Sequence, residues 1–88
     1  MSQYQNRFGE NVVALYIHNN NEWVGEEHWQ IIKLPENSFD ARQYGKIVEF
    51  RRSNSSGTQG WVCGRLDLEE LRGICDMLSA AIRELEDE

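Results

Sequence analysis

Cysteine, histidine and proline are scarce in this chain, and each scarcity closes off a class of chemistry. Two cysteines, Cys63 and Cys75, are too few for the disulfide framework that holds many small domains together. They stand twelve residues apart, and the two histidines, His18 and His28, stand ten apart. No C-x-x-C or H-x-x-x-H spacing occurs, so zinc has no local scaffold, and neither a metal nor a cofactor is expected. Gly57, Gly60 and Gly64 lack the pattern and the lysine of a phosphate-cradling loop. No nucleophile and base can be assembled, so the chain reads as a non-enzyme. The longest apolar run, Val12 to Ile17, is far short of the roughly 20 residues that cross a bilayer. The polar N-terminus has no secretion-signal core, and two unpaired thiols suit a reducing cytoplasm.

What is present is a short chain with clear punctuation. Its 88 residues make one domain. A domain this small buries only roughly 60% of its unfolded surface. Without disulfides or metal, association is the expected remedy. Residues 1–10 read as a flexible N-terminal arm and 11–88 as a single domain. Val12 to His18 is rich in β-branched and aromatic residues and reads as a strand. Asn19 to Glu22 is turn chemistry. A second strand runs from about Glu27 to Leu34, with Trp29, Ile31 and Lys33 alternating against Gln30, Ile32 and Leu34. Pro35, the only proline, closes it because it cannot donate to a ladder. A polar connection over 36–45 has room for one helical turn near Ser38 to Arg42. Lys46 to Arg52 is a third strand and Trp61 to Leu66 a fourth, joined by a long Ser/Gly loop over 53–60 of the kind that serves binding.

The strongest pattern is C-terminal. Asp67 is a good N-cap, and Glu70 stands where its carboxylate can reach back to the cap amide. Leu68, Leu71, Cys75, Leu78, Ile82 and Leu85 then follow at spacings of 3, 4, 3, 4 and 3, a heptad stripe. The stripe is broad enough to cover a sheet and still meet a second helix. The predicted fold is α+β: a four-stranded antiparallel sheet followed by one C-terminal helix (ββββα). A homodimer is expected through Leu71, Cys75, Leu78, Ile82 and Leu85.

Charge is unevenly distributed. Met1 to Leu66 carries seven bases and seven acids, whereas Asp67 to Glu88 carries two bases and eight acids. The whole net charge of −6 therefore belongs to the helix. Within Ala41 to Leu66 five bases face Glu49 alone. Lys46, Arg51, Arg52 and Arg65 gather there with Phe50 and Trp61. Cations neutralise phosphates and rings stack on bases, which is the physical recipe for single-stranded nucleic acid. Alternation divides strand three, with Glu49 and Arg51 on one side and Lys46, Phe50 and Arg52 on the other. The plainer reading is that these charges are solvated and blunt sheet edges.

The segment K-I-V-E-F-R-R, a Gly/Ser loop, W-V-C-G-R-L-D-L and the capped helix E-E-L-R-G-I-C-D-M-L span residues 45–86. They resemble the single-stranded DNA-binding domain of positive-cofactor-four type transcriptional coactivators and, in element order, the Pur-alpha repeat. The resemblance implies a helix-paired dimer whose curved sheet binds single strands, DNA more than RNA, in transcription regulation. It would make Arg51, Arg52 and Arg65 phosphate contacts and Phe50 and Trp61 stacking partners. Where the coactivator pattern has a lysine before the strand-four glycine, this chain has Cys63.

A groove of that kind needs Arg51, Arg65 and Trp61 on one surface. Arginines on opposite surfaces would favour the alternative, an acidic protein-interaction module that occupies a basic site on a larger protein.

Overall fold

The structure is a computed structural model that describes residues 4–21, 25–54 and 60–88. Its elements are β1 (Tyr4–Gln5), β2 (Asn11–Asn21), β3 (Gly25–Lys33), α1 (Phe39–Tyr44), β4 (Val48–Asn54), β5 (Gly60–Leu66) and α2 (Leu68–Glu86). The strands form one antiparallel meander in the order β1-β2-β3-β4-β5. The class is α+β, with five strands rather than four. The extra strand comes from the segment read as a loose arm. There the Asn6 side chain accepts from the amides of Phe8 and Glu10, and Gly9 takes a positive φ of 77°. That turn folds Tyr4 and Gln5 back against Val12 and Asn11. Asn19–Asn21, which read as turn, continue β2, and Ser53, Asn54 and Gly60 of the expected loop belong to β4 and β5; Glu22, Trp23 and residues 55–59 lie outside those described.

The anticipated helical turn is α1. The Ser38 hydroxyl accepts from the Ala41 amide at its start, and Gly45 closes it with a φ of 66°. The cap of α2 is also as anticipated. The Glu70 amide donates to the Asp67 side chain at 2.8 Å, and the Asp67 amide donates to the Glu70 carboxylate at 3.0 Å.

Two one-residue irregularities decide which side chains share a face. In β2 the pairing steps from Val12↔Ile32 to Ala14↔Ile31, leaving Val13 as the extra residue. In β5 it steps from Gly64↔Phe50 to Val62↔Arg51, leaving Cys63. Each bulge reverses the alternation beyond it. Val12 therefore shares a side with Ile32, while Tyr16 joins Trp29 on the other. Trp61 lands opposite Arg52 instead of Ser53. Gly60 is required at the next step, because a Cβ there would lie 2.8 Å from the Arg52 carbonyl oxygen.

The apolar core is small. Val12, Ile32, Val48 and Leu66 are its buried hydrophobic side chains, accompanied by buried Glu27, Gln30, Glu49 and Ser53. The helix adds none. No residue of α2 is buried, and it meets the sheet chiefly at β5. Leu68, Met77, Leu78, Ile82 and Leu85 are all at least half exposed. The expectation that the stripe covers the sheet is thus corrected. Within one chain the helix projects from β5 and its apolar side is open.

Candidate functional site

The two faces of the sheet have opposite characters. One face carries a closed ionic network. Arg51 donates to both carboxylate oxygens of Glu10, at 2.7 and 2.8 Å, and through Nε to Glu49 at 2.8 Å. Arg65 donates through Nε to the other Glu49 oxygen at 3.0 Å and pairs with Asp40 of α1 at 3.1 Å. The network ties the β1–β2 turn, β4, β5 and α1 together around the buried Glu49. The Arg51 guanidinium holds the Glu10 carboxyl below the usual carboxylate range, mainly through its hydrogen bonds and against the opposing effect of burial. A cleft of about 400 Å³ beside it is lined by Glu10, Ile32, Pro35, Glu49 and Arg51 among others. Its arginine and these two carboxylates are already bound to each other. Deeper along this face Gln30 donates to the Ser53 hydroxyl at 3.0 Å, which satisfies two buried polar groups.

The other face is aromatic. Pairing across four strands aligns Tyr16, Trp29, Arg52 and Trp61 in one row. At typical strand spacing such a row spans about 14 Å. Ile31, Phe50 and Gly64 form the row beside it. The Arg52 guanidinium lies between the indoles, 4.8 Å from the centroid of Trp29 and 4.8 Å from that of Trp61. This is the geometry of a doubled cation–π contact. Arg52 also pairs with the buried Glu27, while its Nε is shielded and has no hydrogen-bond partner. Trp29 meets Phe50 at 5.9 Å between centroids, and the Tyr16 hydroxyl lies 2.9 Å from His18 Nδ1. Trp61 is 55% exposed and Tyr16 59%, so both present rings to solvent.

The six residues assigned to nucleic acid are thereby divided. Phe50, Arg52 and Trp61 come together on the aromatic face. Arg51 and Arg65 lie on the opposite face. Lys46 sits before β4 and pairs with Glu70 of α2, which raises the lysine pKa and lowers that of Glu70. Each of the four cations is bound to a carboxylate of its own chain. No groove lined by Arg51, Arg65 and Trp61 exists. The cause is the Cys63 bulge. Unbroken alternation would have set Trp61 on the side of Arg65.

Sequence reasoning missed Tyr16 and Trp29 as members of the row. The signal for Trp29 was available, since it alternates with Ile31 on a strand next to Phe50. For Tyr16 the signal was hidden by the Val13 bulge. Leu71, Cys75, Leu78, Ile82 and Leu85, the residues expected to meet a second copy, all lie on α2, and Cys75, Leu78, Ile82 and Leu85 are exposed. Both thiols are free and exposed. Among the described residues no three His, Cys, Asp or Glu side chains converge to hold a metal, and no helix is long and apolar enough to cross a membrane. Compared with known proteins, the chain matches no family model, no curated protein and no solved structure.

Proposed function

We propose that the chain is a non-enzymatic single-stranded nucleic-acid-binding protein that works by stacking on the aromatic face, as a homodimer joined through α2. One observation carries the reading. Tyr16, Trp29 and Trp61, drawn from three strands, share one row with Arg52, and Tyr16 and Trp61 are exposed. Two of those rings are on that side only because a bulge puts them there. Bases stack on exposed rings at about 1–3 kcal/mol each with little regard to sequence. Arg52 supplies one positive centre among them. The likeness of residues 45–86 to the positive-cofactor-four type domain points to DNA and to transcription regulation. Homodimer formation is supported by the open apolar side of α2 and by the small core.

The mode differs from a phosphate-lined groove in a measurable way. Each phosphate neutralised on a single strand contributes about −0.7 to the slope of log affinity against log salt. Stacking on rings around an Arg52 already paired with Glu27 gives a slope no steeper than that, whereas three free arginines would give about −2. Titration of a labelled single-stranded oligonucleotide at several salt concentrations tests this. Binding with a shallow slope and quenching of tryptophan fluorescence is the expected result. No binding at low salt would overturn the proposal.

A second reading is favoured by the charge balance. With Lys46, Arg51, Arg52 and Arg65 satisfied internally, Glu69, Asp76, Glu84, Glu86, Asp87 and Glu88 on and beyond α2 have no ion pair among the described residues. Arginines on opposite faces also give ground to a protein partner. On this reading the chain is an acidic module for a basic protein surface. A Lys/Arg-rich peptide would then bind where the oligonucleotide does not, and Glu84→Gln with Glu86→Gln and Glu88→Gln would abolish that binding.

A further inference from the structure

The aromatic row is bordered on one side by Ile31, Phe50 and Gly64 and on the other by His18, Glu27 and Asn54. His18 is exposed and stands two residues beyond Tyr16, on the same side of β2. Its Nδ1 lies 2.9 Å from the Tyr16 hydroxyl, and the two ring centroids are 5.9 Å apart with the planes tilted by 32°. Among the described residues no carboxylate is paired with it, in contrast to Lys46, Arg51, Arg52 and Arg65. We propose that His18 is a proton-gated phosphate contact of the aromatic face. When neutral it leaves the face to stacking around Arg52, and when protonated it adds a cation beside the Tyr16 ring. This rests on the single-strand reading given above and adds control by pH to it.

The Tyr16–His18 pair suits both states. An imidazole changes charge between about pH 5 and 8. With its proton on Nε2, Nδ1 accepts from the Tyr16 hydroxyl. With both nitrogens protonated, Nδ1 donates and the hydroxyl accepts instead. The contact therefore survives the gain of charge, and the imidazole keeps its place beside the ring on which a base would stack. Nε2 carries a proton in each state. It has no hydrogen bond among the described residues, which leaves it to donate to a phosphate oxygen.

Few charges surround this pair. β2 is bordered by β1 and β3, and β1 reaches no farther than Val12. Glu27 stands directly across from His18 on β3 and is bound to Arg52 of β4, so those two add no net charge. Asn54, opposite Glu27, is neutral. His28, opposite Ile17, lies on the other face beside Glu26. Acidification to about pH 5 thus changes the charge of this corner at His18. One phosphate contact on a single strand steepens the salt slope by about 0.7. One exposed charge contact raises affinity roughly 2- to 5-fold.

The test is titration of labelled oligothymidine, whose bases take up no proton in this range, at about pH 8 and about pH 5 and at several salt concentrations. Wild-type protein should bind roughly 2- to 5-fold tighter at the lower pH, with a slope steeper by about 0.7. His18→Gln still hydrogen-bonds but takes up no proton, and should lose both changes. His18→Lys should show at the higher pH the affinity and slope that wild type reaches at the lower. His28→Gln should behave as wild type. Equal affinity and slope at both pH values in wild type would overturn the inference and leave the stacking face standing. So would a pH response that persists in His18→Gln or vanishes in His28→Gln. Absence of wild-type binding at both pH values would remove the single-strand reading as well.

Discussion

The two faces of the sheet are made from the same strands, yet on one the charged groups answer one another and on the other two aromatic rings stand open. On the ionic face Arg51, Arg65, Glu10, Glu49 and Asp40 satisfy one another. On the aromatic face Tyr16 and Trp61 leave their rings in water. The comparison teaches that a positive residue count says little about a binding surface. Cations placed beside their own carboxylates hold strands together, and the apolar area left exposed is what remains for a partner.

The comparison can be broken in four ways. The largest effect is expected at α2, which belongs to neither face. Leu78→Asp with Ile82→Asp places charges on the open stripe, and sedimentation should show loss of the dimer with the sheet's far-UV signature retained. A dimer that survives would mean the stripe is not the contact. Next, Arg51→Ala removes the partner of Glu10 and one partner of the buried Glu49. Destabilisation of about 3 kcal/mol is expected in urea unfolding, since a buried carboxylate loses part of its compensation. Oligonucleotide affinity corrected for the folded fraction should not change. A large loss of affinity would restore Arg51 to the binding site. Third, Trp61→Ala should weaken oligonucleotide binding by about 1–3 kcal/mol, roughly 5- to 150-fold. An unchanged affinity would dissociate the aromatic row from nucleic acid.

The smallest effect concerns pH. Glu10 has its carboxyl pKa lowered in the folded chain. Its contribution to stability is present above the ordinary carboxylate range and is lost as pH falls through the lowered folded value. Wild-type protein and Glu10→Gln should differ in unfolding free energy at neutral pH, and the gap should close as the medium is acidified. A gap independent of pH would show that Arg51 gains nothing from the charge of Glu10.

Much of this arrangement was legible in the residues. Asp67 and Glu70 fixed the start of α2 and Pro35 the end of β3, and the turn expected near Ser38 to Arg42 is the first part of α1. Alternation along β4 correctly separated Arg51 from Phe50 and Arg52. Two things were not legible. Tyr4 and Gln5 form a strand only because the Asn6–Glu10 turn returns them to β2, a tertiary event with no periodicity to announce it. The extra residues Val13 and Cys63 carry no turn signal, so the sides taken by Trp61 and Tyr16 could not be read from alternation. Ion pairing was also invisible, because Glu10 lies 41 residues from Arg51 in the chain.

Cys63 therefore has a role that owes nothing to its sulfur. Being one residue too many, it acts as a selector that delivers the Trp61 indole to one surface and withholds it from the other. Were it instead taken up into even pleating opposite Arg51, Trp61 would stand opposite Ser53, on the side of Arg51 and Arg65. The sheet would thereby exchange its chemistry from side to side with no side chain altered.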